Sequence, residues 1–406
     1  MTRKSHIRPA DIRGYSRLAI DATIGLTRLV ETMHHNIVRI PGILGRHTQE
    51  PTTGITGLVY RSIQGATRLV GSGLDALLAQ LTPLLDQEPA TSSSTREALL
   101  AALNGVIGDH LAASENPLAI PMQLRRNGRP LVLTKQDLAA GIPDPSGRIL
   151  LLLHGLCMND LKWRRNGPNG HDHGEALARD AGFTPLYLHY NSGQHVSTNG
   201  RAFAGIMETL VQAWPVPVEE LVIIGHSMGG LVAHSACHYA RLAGQTWLQH
   251  LRQLVFLGTP HHGAPLERGG NWLTVILERS PYTAALARLG KIRSAGITDL
   301  RHGSVLDADW QHGDRFAHSK KRIPVPLPEG VQCYAIAASI AKTPGDSGKS
   351  PAGDGLVPVR SALGQHADER LCLNIPESRQ WVGYGMHHLD LLDNDEVYQQ
   401  LRKWLS

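Results

Sequence analysis

The segment Gly225-His226-Ser227-Met228-Gly229-Gly230 stands between an apolar run, Leu221-Val222-Ile223-Ile224, and a stretch of helical pattern, LVAHSACHYARLAG. A strand that turns this sharply into a helix strains the backbone of the central residue. Glycines two before and two after it remove the side chains that would collide. Ser227 Oγ would then stand at the strand's C-terminal edge, placed for nucleophilic attack on a carbonyl. A serine hydroxyl is a poor nucleophile at neutral pH, so it needs a base within hydrogen-bond reach and a carboxylate to orient that base. Among the downstream carboxylates, Asp354 and Asp346 share one glycine-rich loop after the apolar run VQCYAIAAS; among the downstream histidines, the adjacent His387 and His388 stand ahead of the helical pattern EVYQQLRKWL. An attacked carbonyl becomes an oxyanion, and the Met228 amide, at the start of a helix, is one donor for it.

The elements that must position these residues occupy the C-terminal two thirds. From about residue 148, RILLLLHG, TPLYLHY, ELVIIGHS, QLVFLGTP, VQCYAIAAS and LCLNIP read as strands buried on both faces. Helical patterns such as GRAFAGIMETLVQAW lie between several of them, which is the pattern of an α/β fold with a mostly parallel sheet. The base is expected in the loop after the last of these strands, LCLNIP.

Ahead of this region, two segments up to about residue 85 carry helical periodicity, one over Leu18, Ala22, Leu26, Leu29, Met33 and Ile37 and one from Val59 to Leu81. With the loop-like PGILGRHTQEPTTG between them they read as an amphipathic helical hairpin. A polar Pro/Ser/Thr run, DQEPATSSSTRE, reads as a linker, followed by a short helical stretch, EALLAALNGVIGDHLA, a strand-like LVL around residue 132 and a turn cluster, GIPDPSG. The division expected is a helical N-terminal region over residues 1–95, a connecting segment over 96–146 and a catalytic domain over 147–406.

Five segments resemble the α/β-hydrolase superfamily, and within it bacterial lipases and the GPI inositol-deacylase-like esterases. They are LLLHGL (Leu151 to Leu156), GHSMGG, FLGTPHHGAP, GDGLVPV (Gly353 to Val359) and HHLDLL (His387 to Leu392), in that superfamily's order. The first 145 residues carry no such resemblance. It implies a serine ester hydrolase working through an acyl-enzyme, with Ser227 as nucleophile, Asp354 as acid and His388 as base. The second oxyanion donor it implies is the amide of Leu156, with His154 and Gly155 shaping the turn. The substrate class implied is a carboxylic ester, a small molecule or a lipid, with an apolar acyl chain. The same triad also serves thioesterases, amidases and acyltransferases, and a silent hydrolase fold acting through its N-terminal helices is a further alternative.

Composition narrows the classes further. Of 406 residues 42% are hydrophobic and 18% charged, an ordinary globular balance that excludes a disordered or fibrous chain. The net charge of +5 comes without clustered aromatics, with Phe, Tyr and Trp at 4, 9 and 7, so no nucleic-acid partner is expected. Four dispersed cysteines and isolated pairs such as His171/His173 and His261/His262 lack the spacing of a metal site; neither metal nor cofactor is expected. GDSGKS at 345–350 lacks the first glycine of a phosphate-binding loop and reads as a loop beside the acid. With neither a signal-peptide pattern nor an apolar run of membrane-spanning length, the expected location is cytoplasmic. The apolar seam of the N-terminal hairpin is expected to pack on the catalytic domain or on itself, with a lid, a protein-docking surface or a peripheral membrane contact as the alternatives. Oligomeric state is left open.

Overall fold

The computed structural model describes residues 10–21, 94–164, 172–264, 294–311, 322–343 and 353–406. These described residues divide into two compact units, the first taking in 10–21, 94–96 and 113–119 and the second all the others. In the first, residues 10–21 are helical (α1), and Arg96 grips Asp11 through both carboxylate oxygens at 2.5 and 2.6 Å. Asn116 Nδ2 donates to the Gly14 carbonyl at 3.1 Å. The proposed hairpin, apart from its start at Leu18, lies outside the described residues, as do Asp346 and the GDSGKS loop.

The second unit is built on an eight-stranded sheet. Its strands are β1 (Gln123–Arg126), β2 (Arg129–Pro130), β3 (Arg148–Leu153), β4 (Thr184–His189), β5 (Glu220–His226), β6 (Leu251–Leu257), β7 (Gln332–Ser339) and β8 (Gln380–Tyr384). Their spatial order is β2-β1-β4-β3-β5-β6-β7-β8. From β4 to β8 every pairing is parallel, and only β1 runs antiparallel to its neighbours β2 and β4. Strands β3 to β7 are the apolar runs expected from the sequence. Their residues are buried on both faces because helices lie on both sides. Leu150, Leu152, Val222, Ile224, Val255 and Leu257 pack with helix α4 (His173–Ala181) and the C-terminal helix α10 (Asp395–Leu405). The alternate residues face the other way, where α6 (Met228–Leu242) packs on β3, β5 and β6 and against α5 (Val196–Ala213). The remaining helices are α2 (Ser94–Ala113), α3 (Lys135–Gly141), α7 (Ala295–His302), α8 (Ala308–Gln311) and α9 (Val359–Ala362).

Two strand expectations fail. Leu131-Val132-Leu133 is not a strand: Val132 is 60% exposed, and only the Leu131 amide reaches β1, bonding to the Leu124 carbonyl. LCLNIP is not the last strand either. It is a half-exposed connection between two short 3-10 turns, and the sheet instead closes with the more polar QWVGY of β8. The stretch between the N-terminal region and the apolar strands also supplies β1 and β2, so part of it belongs to the sheet.

Candidate active site

Ser227 is the N-cap of α6 with φ 54° and ψ −121°, a conformation that side chains with a Cβ rarely adopt. Two contacts force it. Its amide donates to the Leu257 carbonyl of β6 at 2.8 Å. On the preceding strand, a Cβ on Gly225 would stand 2.5 Å from the backbone of Gly230, so only glycine lets strand and helix meet this closely. The strain carries a measurable signature. Ser227→Gly is expected to be more stable than Ser227→Ala by about 1 kcal/mol, because glycine adopts positive φ without strain and that relief exceeds its larger loss of chain entropy on folding. Urea midpoints of the two variants test this, and equal midpoints would show an unstrained turn.

The sequence-named acid and base meet. Asp354 Oδ2 lies 2.6 Å from His388 Nδ1, and the His388 amide donates to the Asp354 carbonyl at 3.1 Å. Both side chains are buried, Asp354 at 2% and His388 at 4% exposure. The other carboxylate oxygen, Oδ1, accepts from the amides of Leu356 and Val357 at 2.9 and 2.7 Å, which fixes the carboxylate plane. A neutral His388 therefore carries its proton on Nδ1 toward Asp354, leaving Nε2 as acceptor. His387 is the exposed neighbour, its amide donating to Asp390 Oδ2 in the capping box of the 3-10 turn His388–Leu392.

Ser227 and His388 converge on one corner. The ring of His226, the residue before the serine, stands 4.7 Å from that of His388, and His226 Nε2 lies 3.2 Å from the His388 carbonyl. At the end of β6, a Cβ on Gly258 would lie 3.1 Å from His388 Cε1. Among the described residues Ser227 Oγ makes no side-chain hydrogen bond; such contacts commonly tighten only when substrate binds.

The loop after β3 passes against the serine, since a Cβ on Gly155 would stand 3.1 Å from Ser227 Cβ. The amides of Leu156 and Met228 have no acceptor among the described residues. Cys157, at φ 59°, donates its amide to Ser192 Oγ at 3.0 Å and so fixes the far side of the turn. Behind it, Tyr190 stacks on His154 at 4.3 Å and donates to the His154 carbonyl at 2.7 Å. A buried ionic cluster anchors the next residues: Arg125 Nη1 lies 3.0 Å from Glu97 and 3.2 Å from Asp160, and His189 Nδ1 lies 3.1 Å from Asp160.

Sequence reading gave no part to His226, Arg125, Asp160 or His189. Nothing in their spacing reveals them, for His226 and the His388 carbonyl lie 162 residues apart and Arg125 and Asp160 35. After β4, Asn191 bonds to Gly108 and Gly193, and His195 Nδ1 lies 3.0 Å from Asp299 Oδ2. Asp172 caps α4. Among the described residues no group of three or more His, Cys, Asp or Glu side chains is arranged to hold a metal, and no helix is long and apolar enough to cross a membrane.

A parallel sheet in this strand order, covered on both faces and carrying a left-handed serine where β5 turns into α6, defines an α/β-hydrolase fold. Within that superfamily the chain resembles lipases and PGAP1-like esterases: residues 144–330 match the family described as the PGAP1-like alpha/beta domain. The match spans just under half of the chain, taking in Leu156, Ser227 and Met228 and ending before Asp354 and His388. No curated protein sequence matches the chain. Among solved structures, the mature lipase of Bacillus licheniformis is similar at 16% identity over 65% of this chain and 94% of that one, with a TM-score of 0.42. Lipase B of Aspergillus fumigatus gives 11% over 66% and 57%, at 0.38. An esterase of Pyrobaculum calidifontis gives 14% over 80% and 94%, at 0.37. Values this low carry no conclusion about substrate.

Proposed function

We propose that the chain is a serine hydrolase of carboxylic esters. The observation that carries this reading is the left-handed Ser227 at the head of α6, on the corner that also holds the buried Asp354–His388 pair. Ser227 Oγ attacks the ester carbonyl carbon while His388 Nε2 takes the hydroxyl proton, and Asp354 steadies the resulting imidazolium. The amides of Leu156 and Met228 hold the oxyanion, each contributing about 3 kcal/mol if they match a measured oxyanion donor. The tetrahedral species collapses with loss of the alcohol, which leaves with the proton from His388. Water, deprotonated by His388, then cleaves the acyl-serine and releases the carboxylic acid. This sequence uses no cofactor. An ester with an apolar acyl chain, a small molecule or a lipid, is the substrate class proposed.

The test takes the full chain, a fluorophosphonate probe, and p-nitrophenyl esters from acetate to palmitate beside a matched thioester and anilide. The expected result is one probe adduct, mapped by mass spectrometry to Ser227, with esters cleaved faster than thioester or anilide. Faster thioester or anilide cleavage transfers the triad to another acyl chemistry. An adduct elsewhere, or a chain that neither labels nor cleaves, overturns the reading.

A further inference from the structure

Beside α6, with none of Ser227, Asp354 and His388 in its lining, lies a cavity of about 300 Å³. That is the lower end of the range for small-molecule sites. One end is polar and cationic. Arg322 is pinned there through Nη1, which donates to the His261 carbonyl at 2.8 Å and to His262 Nδ1 at 3.2 Å. Its Nε is buried without a partner, and among the described residues no carboxylate forms an ion pair with it. Asp309, whose charge also acts on Arg322, forms no ion pair with it: its Oδ2 accepts from the amides of Val305 and Leu306, and its Oδ1 is buried without a partner among the described residues. Of the charged groups at the rim, Glu369 is exposed and Arg370 is held by Asp368 at 2.7 Å. The second polar group is His261, only 2% exposed, lining the cavity with both ring nitrogens unpartnered. Leu231, Val305 and Val325 line the apolar remainder.

We propose that this cavity binds a small organic anion, with Arg322 and His261 taking its carboxylate or phosphate-monoester group and the apolar wall taking a short hydrocarbon body. A part-buried guanidinium whose Nε has no acceptor among the described residues, beside a buried imidazole whose two nitrogens also lack one there, is costly unless an acceptor completes it. An oxyanion offers several lone pairs in the planar geometry that a guanidinium matches. Burial pushes the Arg322 guanidinium and the His261 imidazole toward their neutral forms, so a bound anion would be stabilised by reversing that pressure. A cation is disfavoured by the fixed charge of Arg322. The proposal does not depend on Ser227 being a nucleophile, since none of the three catalytic candidates lines the cavity.

Isothermal titration of the full chain with hexanoate, hexyl phosphate and hexanol tests it. At least one of the two anions is expected to bind about tenfold or more tightly than hexanol, the ratio that one charge-assisted contact supplies. Which of the two binds more tightly tells carboxylate from phosphate ligands. Arg322→Met is expected to erase the anion's advantage, and Arg322→Lys to keep part of it. Should Arg322→Met lose its native circular dichroism, His261→Phe, which removes the second polar partner, is expected to cut anion affinity several-fold and leave hexanol unchanged. Equal binding of anions and hexanol, no anion binding, or an advantage that survives in a folded Arg322→Met would overturn the proposal.

Discussion

Replacing Ser227 by Ala, or His388 by Ala, is expected to lower kcat for ester hydrolysis by a factor on the order of 10^6, whereas Asp354→Asn should cost about 10^4. The inequality follows from the geometry. Without Ser227 Oγ no acyl-enzyme forms, and without the imidazole the proton has nowhere to go. Asp354→Asn keeps an oxygen for the amides of Leu356 and Val357, which bond to Oδ1, and so turns its NH2 toward His388 Nδ1. That nitrogen must then accept, the imidazole proton moves to Nε2, and the lone pair facing the serine is lost. The loss should fall on kcat with KM little changed, since Asp354 is buried behind His388. Asp346→Asn serves as the control, with activity expected to stay at the wild-type level. Steady-state kinetics on p-nitrophenyl esters check the series. An Asp354→Asn variant as active as wild type, or an inactive Asp346→Asn, would reassign the acid.

Mild acid should unfold the protein. His154, His226, His234 and His261 are almost wholly buried. Burial pushes His154 down to about 3 and His234 to about 4 from the ordinary 6.5, and His226 and His261 well below it. The folded chain therefore holds these rings neutral while the unfolded chain protonates them near pH 6.5. Below that pH the unfolded state binds more protons, so stability falls as pH falls, at about 1.4 kcal/mol per pH unit for each ring. With four rings acting together the loss over one pH unit is on the order of 5 kcal/mol, comparable to the whole stability of an ordinary domain. Asp172 and Asp299, whose carboxyls burial pushes up, oppose the trend. Urea unfolding should show a plateau above pH 7 and a steep fall from pH 6.5 toward pH 4. His154→Asn should lessen the slope by one proton, and a flat profile would mean that the buried rings are charged in the folded state.

The parts of this molecule legible in the sequence are those with local causes. Strands β3 to β7 betray themselves because burial on both faces demands uninterrupted Leu, Val and Ile, and the turn at Ser227 because only glycine fits around it. Strand β8 is hidden because it sits at the sheet's edge with a single neighbour, and QWVGY is only partly buried. LCLNIP misled through an apolar alternation that serves a half-exposed turn, where the Cys372 thiol accepts from the His366 amide. Strand β1 is hidden for another reason: its Arg125 is buried, and a buried arginine is tolerable only beside carboxylates such as Glu97 and Asp160, which lie elsewhere in the chain. The pairing of Asp354 with His388 was expected from resemblance, since no local rule joins residues 34 apart. The setting of Arg322 was not legible at all, because its contacts with His261 and His262 lie about 60 residues away in the chain.

The Asp354–His388 pair has a backbone counterpart, for the His388 amide closes on the Asp354 carbonyl, and the His388 carbonyl faces His226. The two loops are thus laced together by main chain as well as by side chain. Neither can fray alone, and the amide protons of Val357 and His388 should exchange with deuterium as one cooperative unit. Their common protection would report on the integrity of the Asp354–His388 corner without any substrate present.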